Sequence, residues 1–289
     1  MTNTFTMGGH AVGRVGYGAM QLPGPGVMGE PKDPDQAIAV LRRVVELGMN
    51  HIDTSEFYGP HVSNRLIREA LHPYQDDLVL VSKVGAHRDE AGAWLPSQTP
   101  EDLIRDTHEN LETLGIDCLQ VMNLRVMPID EHSPADYVPV PFDEQLDAMR
   151  QLVAEGAIES FGVSTVTFEQ AQQGIEAGAV QVQNAYNLLA RGDEQTLELC
   201  RDKGVAYVPY FPLGSAFGWL PRVDEDEKVK AVAQRLGHTP AQVGLAWLLA
   251  HAENILLIPG TGSLAHLEEN TAVRDIVLSA EDVAELENR

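Results

Sequence analysis

Eight short apolar runs recur along the chain, and helical patterns of apolar and polar residues lie between them. Runs of this length that are rich in Val, Leu and Ile, without polar alternation, are typical of parallel strands buried on both faces. The runs are Val15–Met20, Met49–Ile52, Leu78–Val81, Cys118–Leu124, Ile158–Val163, Ala179–Val182, Val205–Tyr210 and Ile255–Ile258. Strand and helix alternating in this way predict an α/β protein, a closed (β/α)8 TIM barrel rather than an open sheet.

The helical stretches carry boundary signals. Thr99 and Thr239 each precede a proline, which is the pattern of an N-cap followed by proline in the first turn, and Gly156 is a stop signal. The predicted helices are Pro34–Leu47, Thr99–Leu114, Phe142–Glu155 and Thr239–His251, with extra C-terminal helices at Asp224–Leu236 and Ser279–Glu287. Thr4–Val12, with two glycines at its centre, predicts an N-terminal β-hairpin ahead of the barrel.

Composition narrows the class of protein. The 289 residues contain no linker or low-complexity segment, so we expect a single domain over residues 1–289. Two cysteines without a CxxC pair argue against a disulfide framework and fit a reducing compartment. We read neither a signal peptide nor a membrane span, and expect a cytoplasmic protein. The net charge of −23 argues against nucleic acids and anionic membranes as partners.

Polar residues follow several of the predicted strands. In a barrel, chemistry takes place at the C-terminal ends of the strands, so these side chains are expected to form one site. They are Asp53, Tyr58, Lys83, Asn123, Arg125, Ser164, Gln183 and Tyr210.

Three segments resemble the aldo-keto reductase family closely. They are NHIDTSEFYG (Asn50–Gly59), LVLVSKVG (Leu78–Gly85) and the stretch from Thr239 to Asn270. FGVST, VQVQNAYNLL and YFPLGS fill the intervening positions in the right order, so the resemblance covers nearly the whole chain. It implies a (β/α)8 barrel that transfers hydride between a nicotinamide cofactor and a carbonyl or alcohol, and a monomer, as most relatives are.

The chemistry gives these motifs a reason. A free tyrosine titrates near ~10, too high to shuttle protons well at neutral pH, and a nearby Lys ammonium favours the tyrosinate. We therefore expect Tyr58 to be the general acid in reduction, Lys83 to tune it and Asp53 to hold Lys83. Taken singly, Asp53 fits a helix cap and Tyr58 a half-buried aromatic. Hydride passes directly from the nicotinamide, so no metal is expected.

The chain departs from the family at strand four, where the usual histidine is absent. Arg125 takes that position, and Asn123 lies two residues earlier on the same face. A permanent cation there can bond the substrate oxygen, favour the ionised Tyr58, or bind a carboxylate or phosphate of the substrate. A structural ion pair with Glu56 is the remaining alternative. These alternatives stay open, and our hypothesis is that Arg125 acts in catalysis or substrate binding.

The resemblance also implies the cofactor contacts. The nicotinamide would lie on the Tyr210 ring, and its carboxamide would meet Ser164, Thr165 and Gln183. The pyrophosphate would be lined by Phe211, Leu213 and Ser215. The adenosine end would be held by Gly260, Thr261, His266, Glu269 and Asn270. The family often has Lys or Arg where this chain has Gly260 and His266, so we expect NADPH as the family default, with NADH possible.

The substrate side is weakly specified. Phe57, Trp94 and Trp219 fall in loops expected to border the pocket, and the proline-rich loop Val126–Pro141 can cover it, which fits an apolar or aromatic carbonyl compound. Pyridoxal and sugar-derived aldehydes, substrates of some relatives, stay open. Two other functions are weighed: a nucleotide-binding redox sensor with little turnover, like the potassium-channel β subunits that also lack the histidine, and a barrel lyase or hydrolase using Lys83 as a Schiff base.

Overall fold

A computed structural model describes residues 3–127, 137–214, 218 and 220–288 of the chain. The strands are β1 Thr4–Met7, β2 His10–Gly13, β3 Tyr17–Gly18, β4 His51–Asp53, β5 Val79–Val84, β6 Ala86–Arg88, β7 Trp94–Pro96, β8 Leu119–Arg125, β9 Ile158–Ser164, β10 Gln181–Gln183 and β11 Ala206–Tyr207. The α-helices are α1 Pro34–Glu46, α2 Val62–Leu71, α3 Pro100–Leu114, α4 Phe142–Glu155, α5 Phe168–Glu176, α6 Glu194–Lys203, α7 Glu227–Leu236, α8 Pro240–His251, α9 Leu264–Ala272 and α10 Ala280–Glu287.

Seven parallel strands form one curled sheet in the order β11, β10, β9, β8, β5, β4, β3. The segment from Ile255 to Leu257 closes it, because Ile255 bridges to Tyr207 on one side and Leu257 bridges to Val15 on the other. The backbone N–H of Gly16 donates to the Leu257 carbonyl over 2.8 Å. All eight predicted runs therefore take part in the barrel, and the predicted (β/α)8 fold is confirmed.

The hairpin of β1 and β2 covers the N-terminal end of the barrel. Met7 and Val12 from the hairpin are buried against Val81, Val121 and Leu256 from the barrel. This apolar cluster closes one end of the barrel, so the C-terminal end remains for a site, as in other barrels of this type.

Most of the predicted helices form within one residue of their expected bounds. Thr99 and Thr239 cap α3 and α8 through capping boxes, and Gly156 ends α4 in the left-handed conformation. The helix expected from Asp224 begins only at Glu227, because the Asp226 side chain accepts hydrogen bonds from the first turn and a short 3₁₀ turn precedes it.

Four of the described helices, α2, α5, α6 and α9, were not bounded from the sequence. The buried face of α2 is partly polar. Asn64 on α2 is fully buried, accepts from Thr54 over 2.9 Å and donates to Asn110 over 3.0 Å. An asparagine on the buried face of a helix interrupts the apolar periodicity on which the prediction depends. Within the described part of the chain, no helix is long and apolar enough to cross a membrane.

Candidate active site

A buried ion pair lies at the C-terminal end of the barrel. Lys83 Nζ lies 2.5 Å from Asp53 Oδ1 and also donates to the Thr54 carbonyl over 2.9 Å. The same ammonium lies 5.0 Å from the centre of the Tyr58 ring. Asp53 ends β4 and Lys83 lies near the end of β5, its neighbour in the sheet, so the barrel itself brings these groups together.

The electrostatics of the pair favour a charged Lys83. Burial by itself lowers the pKa of the Lys83 ammonium, but the Asp53 charge and the interactions with Asp53 and Tyr58 outweigh it and raise the pKa above its ordinary value. Burying two charges in this way costs desolvation free energy that an apolar pair would not. A pair retained at this cost beside a buried tyrosine is typical of an active site.

A chain of amide side chains inside the barrel orients Asp53. Gln183 donates to Asp53 Oδ2 over 3.0 Å, and Gln181 donates to Asn123 Oδ1 over 2.8 Å. Asn123 Nδ2 donates to Gln183 Oε1 over 3.5 Å, which links the two pairs. All three amides are at most 1% exposed. Asn123 thus belongs to a network that positions Asp53. Gln181 was not among the predicted site residues. Gln181 and Gln183 are two residues apart in a strand and so lie on the same face, which is the signal that could have identified Gln181.

Arg125 lies against aromatic rings beside this centre. Its Cζ lies 5.0 Å from the centre of the Trp94 ring and 5.8 Å from that of Phe57. Burial lowers the pKa of its guanidinium, while the hydroxyl groups of Tyr58 and Tyr210 are close enough to raise it. The alternative of an ion pair with Glu56 is wrong for the described residues, because the Glu56 carboxylate faces His61, 3.7 Å from Nδ1.

The aromatic residues expected at the pocket separate into two groups. Trp94 is half-buried and begins β7 rather than lying in a loop, whereas Phe57 is fully buried behind it with ring centres 5.4 Å apart. Trp219 and residues 128–136 of the Val126–Pro141 loop lie outside the described residues.

Glu56 is a second buried acid, which the sequence suggested only as an ion-pair partner of Arg125. Burial, with the nearby charges of Asp106 and Glu109, raises its pKa to about 8, against the effect of Arg105. Glu56, His61 and Glu109 each place one ligand atom within 4.8 Å of the others. Burial disfavours the ionised Glu56 that a metal would need, and nothing else among the described residues points to a metal here, so we assign none to the cluster.

The residues expected around the nicotinamide follow β9, β10 and β11. Ser164 Oγ and Thr165 Oγ1 lie 3.4 Å apart, and the Thr165 N–H donates to the Gln183 carbonyl over 3.0 Å. Tyr210 is half-buried with its ring 5.2 Å from that of Phe211. Thr165 and Phe211 have φ values of 59° and 56°. Non-glycine residues rarely adopt this conformation, and such strain is concentrated at functional sites.

The residues expected at the adenosine end lie between the barrel and α9. A Cβ on Gly260 would lie 2.5 Å from the Gly18 carbonyl oxygen, so the backbone itself excludes a side chain there. Thr261 is buried, and its carbonyl accepts from the Tyr17 hydroxyl over 2.7 Å. His266 and Glu269 are exposed on α9 and Asn270 is half-buried. Leu213 packs near Gly244, and Ser215 lies outside the described residues.

These groups fit a nicotinamide dinucleotide. Tyr210 offers a half-exposed ring, and Ser164 and Thr165 offer hydroxyl groups. Gln183 Oε1 accepts from Asn123 Nδ2 over 3.5 Å and has a second lone pair for a further hydrogen bond. The first turn of α9 offers backbone N–H groups suited to phosphate. Every predicted cofactor residue within the described chain thus lies near the C-terminal end of the barrel or on α9.

Sequence and structural comparisons agree on the family. The model described as "Aldo/keto reductase family" matches residues 14–288, so the chain belongs to that family, and with it to the NAD(P)H-dependent oxidoreductases. The chain is 48% identical over 287 residues to the "Pyridoxine 4-dehydrogenase" of Escherichia coli (strain K12), covering 99% of this chain and 98% of that protein. It is 36% identical over 286 residues to an "Uncharacterized oxidoreductase" of Schizosaccharomyces pombe, covering 98% and 89%. A crystal structure of an aldo/keto reductase from Klebsiella pneumoniae in complex with NADP and acetate superimposes with a TM-score of 0.82 at 28% identity, covering 99% and 95%.

Proposed function

We propose that the chain is a cytoplasmic, monomeric, NADPH-dependent reductase that converts an aldehyde to an alcohol by hydride transfer, with Tyr58 as general acid. The observation that carries the proposal is the buried pair of Lys83 and Asp53 beside the Tyr58 ring. A tyrosine beside a buried ammonium is suited to releasing and recovering a proton at neutral pH.

In the proposed reaction, the bound cofactor supplies the hydride, which forms the new C–H bond at the carbonyl carbon. The carbonyl π bond breaks towards oxygen, and the Tyr58 hydroxyl donates its proton to that oxygen, so that an alcohol leaves. The Lys83 ammonium stabilises the tyrosinate that remains until a solvent proton restores it. Asp53 keeps Lys83 charged, and Gln183 holds the second oxygen of Asp53.

The choice of NADPH is supported by relatives. Solved relatives 28% identical to this chain, both from Klebsiella pneumoniae, are complexes with NADP and with NADPH. In this chain, Ser164, Thr165 and Gln183 would hold the carboxamide and Tyr210 the ring, while residues of α9 and the turn before it would hold the adenosine end. The family often has a cationic side chain at position 260. In this chain the Gly18 backbone occupies the space that such a side chain would need. NADH use therefore stays open.

A pyridoxal-type aromatic aldehyde is the substrate that we propose. The support is the 48% identity to an Escherichia coli protein named for its action on pyridoxine, together with the Trp94 ring beside Arg125. An aromatic side wall matches the flat face of a heteroaromatic ring.

The test is NADPH oxidation by the purified protein with pyridoxal and a panel of aromatic and aliphatic aldehydes. Tyr58→Phe is expected to lower kcat by about 10²- to 10⁴-fold, because it removes only the acid. Tyr74→Phe is the matched control, since that hydroxyl bonds the Leu114 carbonyl. Wild-type turnover in Tyr58→Phe contradicts the role of Tyr58. NADPH binding without turnover of any aldehyde favours the nucleotide-sensing function instead.

A further inference from the structure

The wall of the proposed site beside Tyr58 combines aromatic and cationic side chains. The Trp94 ring has two guanidinium groups over it, with the Cζ of Arg88 at 4.1 Å and that of Arg125 at 5.0 Å from the ring centre. Phe57 joins this wall to the acid, since its ring centre lies 5.4 Å from that of Trp94 and 5.5 Å from that of Tyr58. A flat substrate ring at this wall would therefore pack beside Arg125, whose guanidinium is close enough to Tyr58 to interact with it.

Arg88 supports the wall. Its guanidinium donates four hydrogen bonds to backbone carbonyls: to Val27 over 3.1 Å, to Gly26 over 3.2 Å and twice to Gly92 over 3.0 and 2.8 Å. Four of its five N–H groups thus bond neutral acceptors, so Arg88 is held in place and contributes positive charge to the wall. Burial lowers the pKa of the Arg88 guanidinium, with the Asp89 charge raising it and the Arg125 charge lowering it.

Arg125 is held differently. Its Nε is buried without a hydrogen-bond partner, and no salt bridge of the described residues includes it. This occurs in a chain with 43 acidic and 20 basic residues, where partners are abundant. Nearby described carboxylates are committed elsewhere, Asp53 to Lys83 and Glu56 towards His61. Among the described residues, Arg125 is half-buried and its Nε lacks a hydrogen-bond partner, so an anion bound next to the guanidinium would satisfy a donor that is otherwise unsatisfied.

We infer, on the basis of the proposed function, that Arg125 binds an ionised oxygen carried by the substrate ring next to its aldehyde group. The substrate class is then an aromatic aldehyde with a neighbouring phenolate. On such a ring the two oxygens are fixed side by side, so Tyr58 receives the carbonyl oxygen while Arg125 receives the phenolate. The planar guanidinium suits an oxygen in the plane of the ring.

The first experiment compares pyridoxal with isonicotinaldehyde, which shares the pyridine ring and the aldehyde but lacks the phenolic oxygen, the methyl group and the hydroxymethyl group, so the role of Arg125 is read from the change in their ratio between variants. We expect wild-type protein to prefer pyridoxal in kcat/KM, and Arg125→Met to lower the ratio of the two values by about 10-fold or more, the usual effect of losing a charged hydrogen bond. Arg125→Lys should retain part of the ratio. Arg150→Met, at a surface ion pair with Asp147, should leave it unchanged.

The second experiment measures binding without turnover. Pyridoxal is mixed with the protein and NADP⁺, which cannot supply hydride, and the ionisation of its phenol is followed by ring absorbance against pH. Wild-type protein and Arg150→Met should shift the ionisation of the bound phenol to lower pH, whereas Arg125→Met should not. Circular dichroism establishes that each variant is folded, and Arg125→Lys carries the test if Arg125→Met is not.

The outcomes separate the inference from the proposed function. Arg125→Met could lower kcat/KM equally for both aldehydes and leave the phenol ionisation of the bound ligand as in wild type. In that case Arg125 acts on the shared carbonyl and the inference is overturned, while the reductase function stands. If wild-type protein reduces neither aldehyde and no other aldehyde of the panel, the proposed function itself fails.

Discussion

The ammonium of Lys83 lies 2.5 Å from Oδ1 of Asp53, and only 5% of each side chain is exposed. Asp53→Asn keeps the shape of the side chain and leaves the ammonium buried without a counter-charge. We expect the free energy of unfolding to fall by about 3 kcal/mol, together with a loss of turnover. Denaturant unfolding and NADPH oxidation measure the two effects. Asp147→Asn, whose partner lies at the surface, is the control and should change stability by less than about 1 kcal/mol. Equal effects of the two variants would contradict the assignment.

Gly162 on β9 faces the amide network inside the barrel. A Cβ there would lie 2.3 Å from Asn123 Oδ1 and 2.5 Å from Gln181 Cγ. Gly162→Ala is therefore expected to displace the network that holds Asp53 and to lower kcat by about 10-fold, since misplacement far from the reacting atoms slows catalysis. Gly192→Ala, where a Cβ meets nothing within 4 Å, is the matched control. An unchanged kcat in Gly162→Ala would show that the network does not position Asp53.

The raised pKa of Glu56 leads us to expect that the protein loses stability as the pH rises. Its folded pKa of about 8 lies above the ordinary value of 4.5, so the folded state binds the proton more tightly than the unfolded chain. Its contribution is fully present below the unfolded pKa and is lost as the pH rises through about 8. Glu56→Gln removes this charge. We expect the free energy of unfolding of the variant to exceed that of wild type by about 2 kcal/mol near pH 8 and by little near pH 4.5. Urea unfolding across the window measures this, and a pH-independent difference would contradict it.

Thr165 holds a left-handed backbone with φ of 59° at the predicted carboxamide position. Asparagine tolerates this conformation better than a β-branched residue. Thr165→Asn is expected to raise the free energy of unfolding by about 1 kcal/mol and to keep NADPH binding through its amide. Thr165→Val retains the strain and removes the hydroxyl, so it should weaken NADPH binding without a gain in stability. Thermal denaturation and fluorescence quenching distinguish the two variants.

Positions 260 and 266, which carry no cation in this chain, are expected to respond differently when a cationic residue is introduced. Lys or Arg at position 260 would place its Cβ against the Gly18 carbonyl, whereas His266 lies exposed on α9. His266→Arg should therefore raise the preference for NADPH over NADH by about 2- to 5-fold, the range of an exposed ion pair. Gly260→Lys should destabilise the protein without this gain. Dissociation constants for both cofactors measure the preference, and a gain in Gly260→Lys alone would reverse the assignment.

Much of the site was predicted from the residues that end the strands. Asp53, Lys83 and Tyr58 were expected to meet, and the structure brings them together, because parallel neighbouring strands end at the same edge of the barrel. The single-domain assignment and the monomeric state stay predictions. Arg125 was identified as an unusual residue, but its alternatives could not be separated, since its surroundings come from Trp94 and Phe57 on other elements.

The eight barrel segments, six of the ten described α-helices, the hairpin and the caps at Thr99, Thr239 and Gly156 were predicted from the sequence alone, because periodicity, capping residues and turn glycines act over a few positions of the chain. Only the tertiary structure decided which partner each polar group takes. Gln183 meets Asp53 across 130 residues of sequence, and Gly260 lies against Gly18. Contacts of this kind depend on how the barrel closes, so no local pattern encodes the pairing of Asp53 with Gln183, the packing of Arg125 against Trp94 and Phe57, or the exclusion of a side chain at position 260.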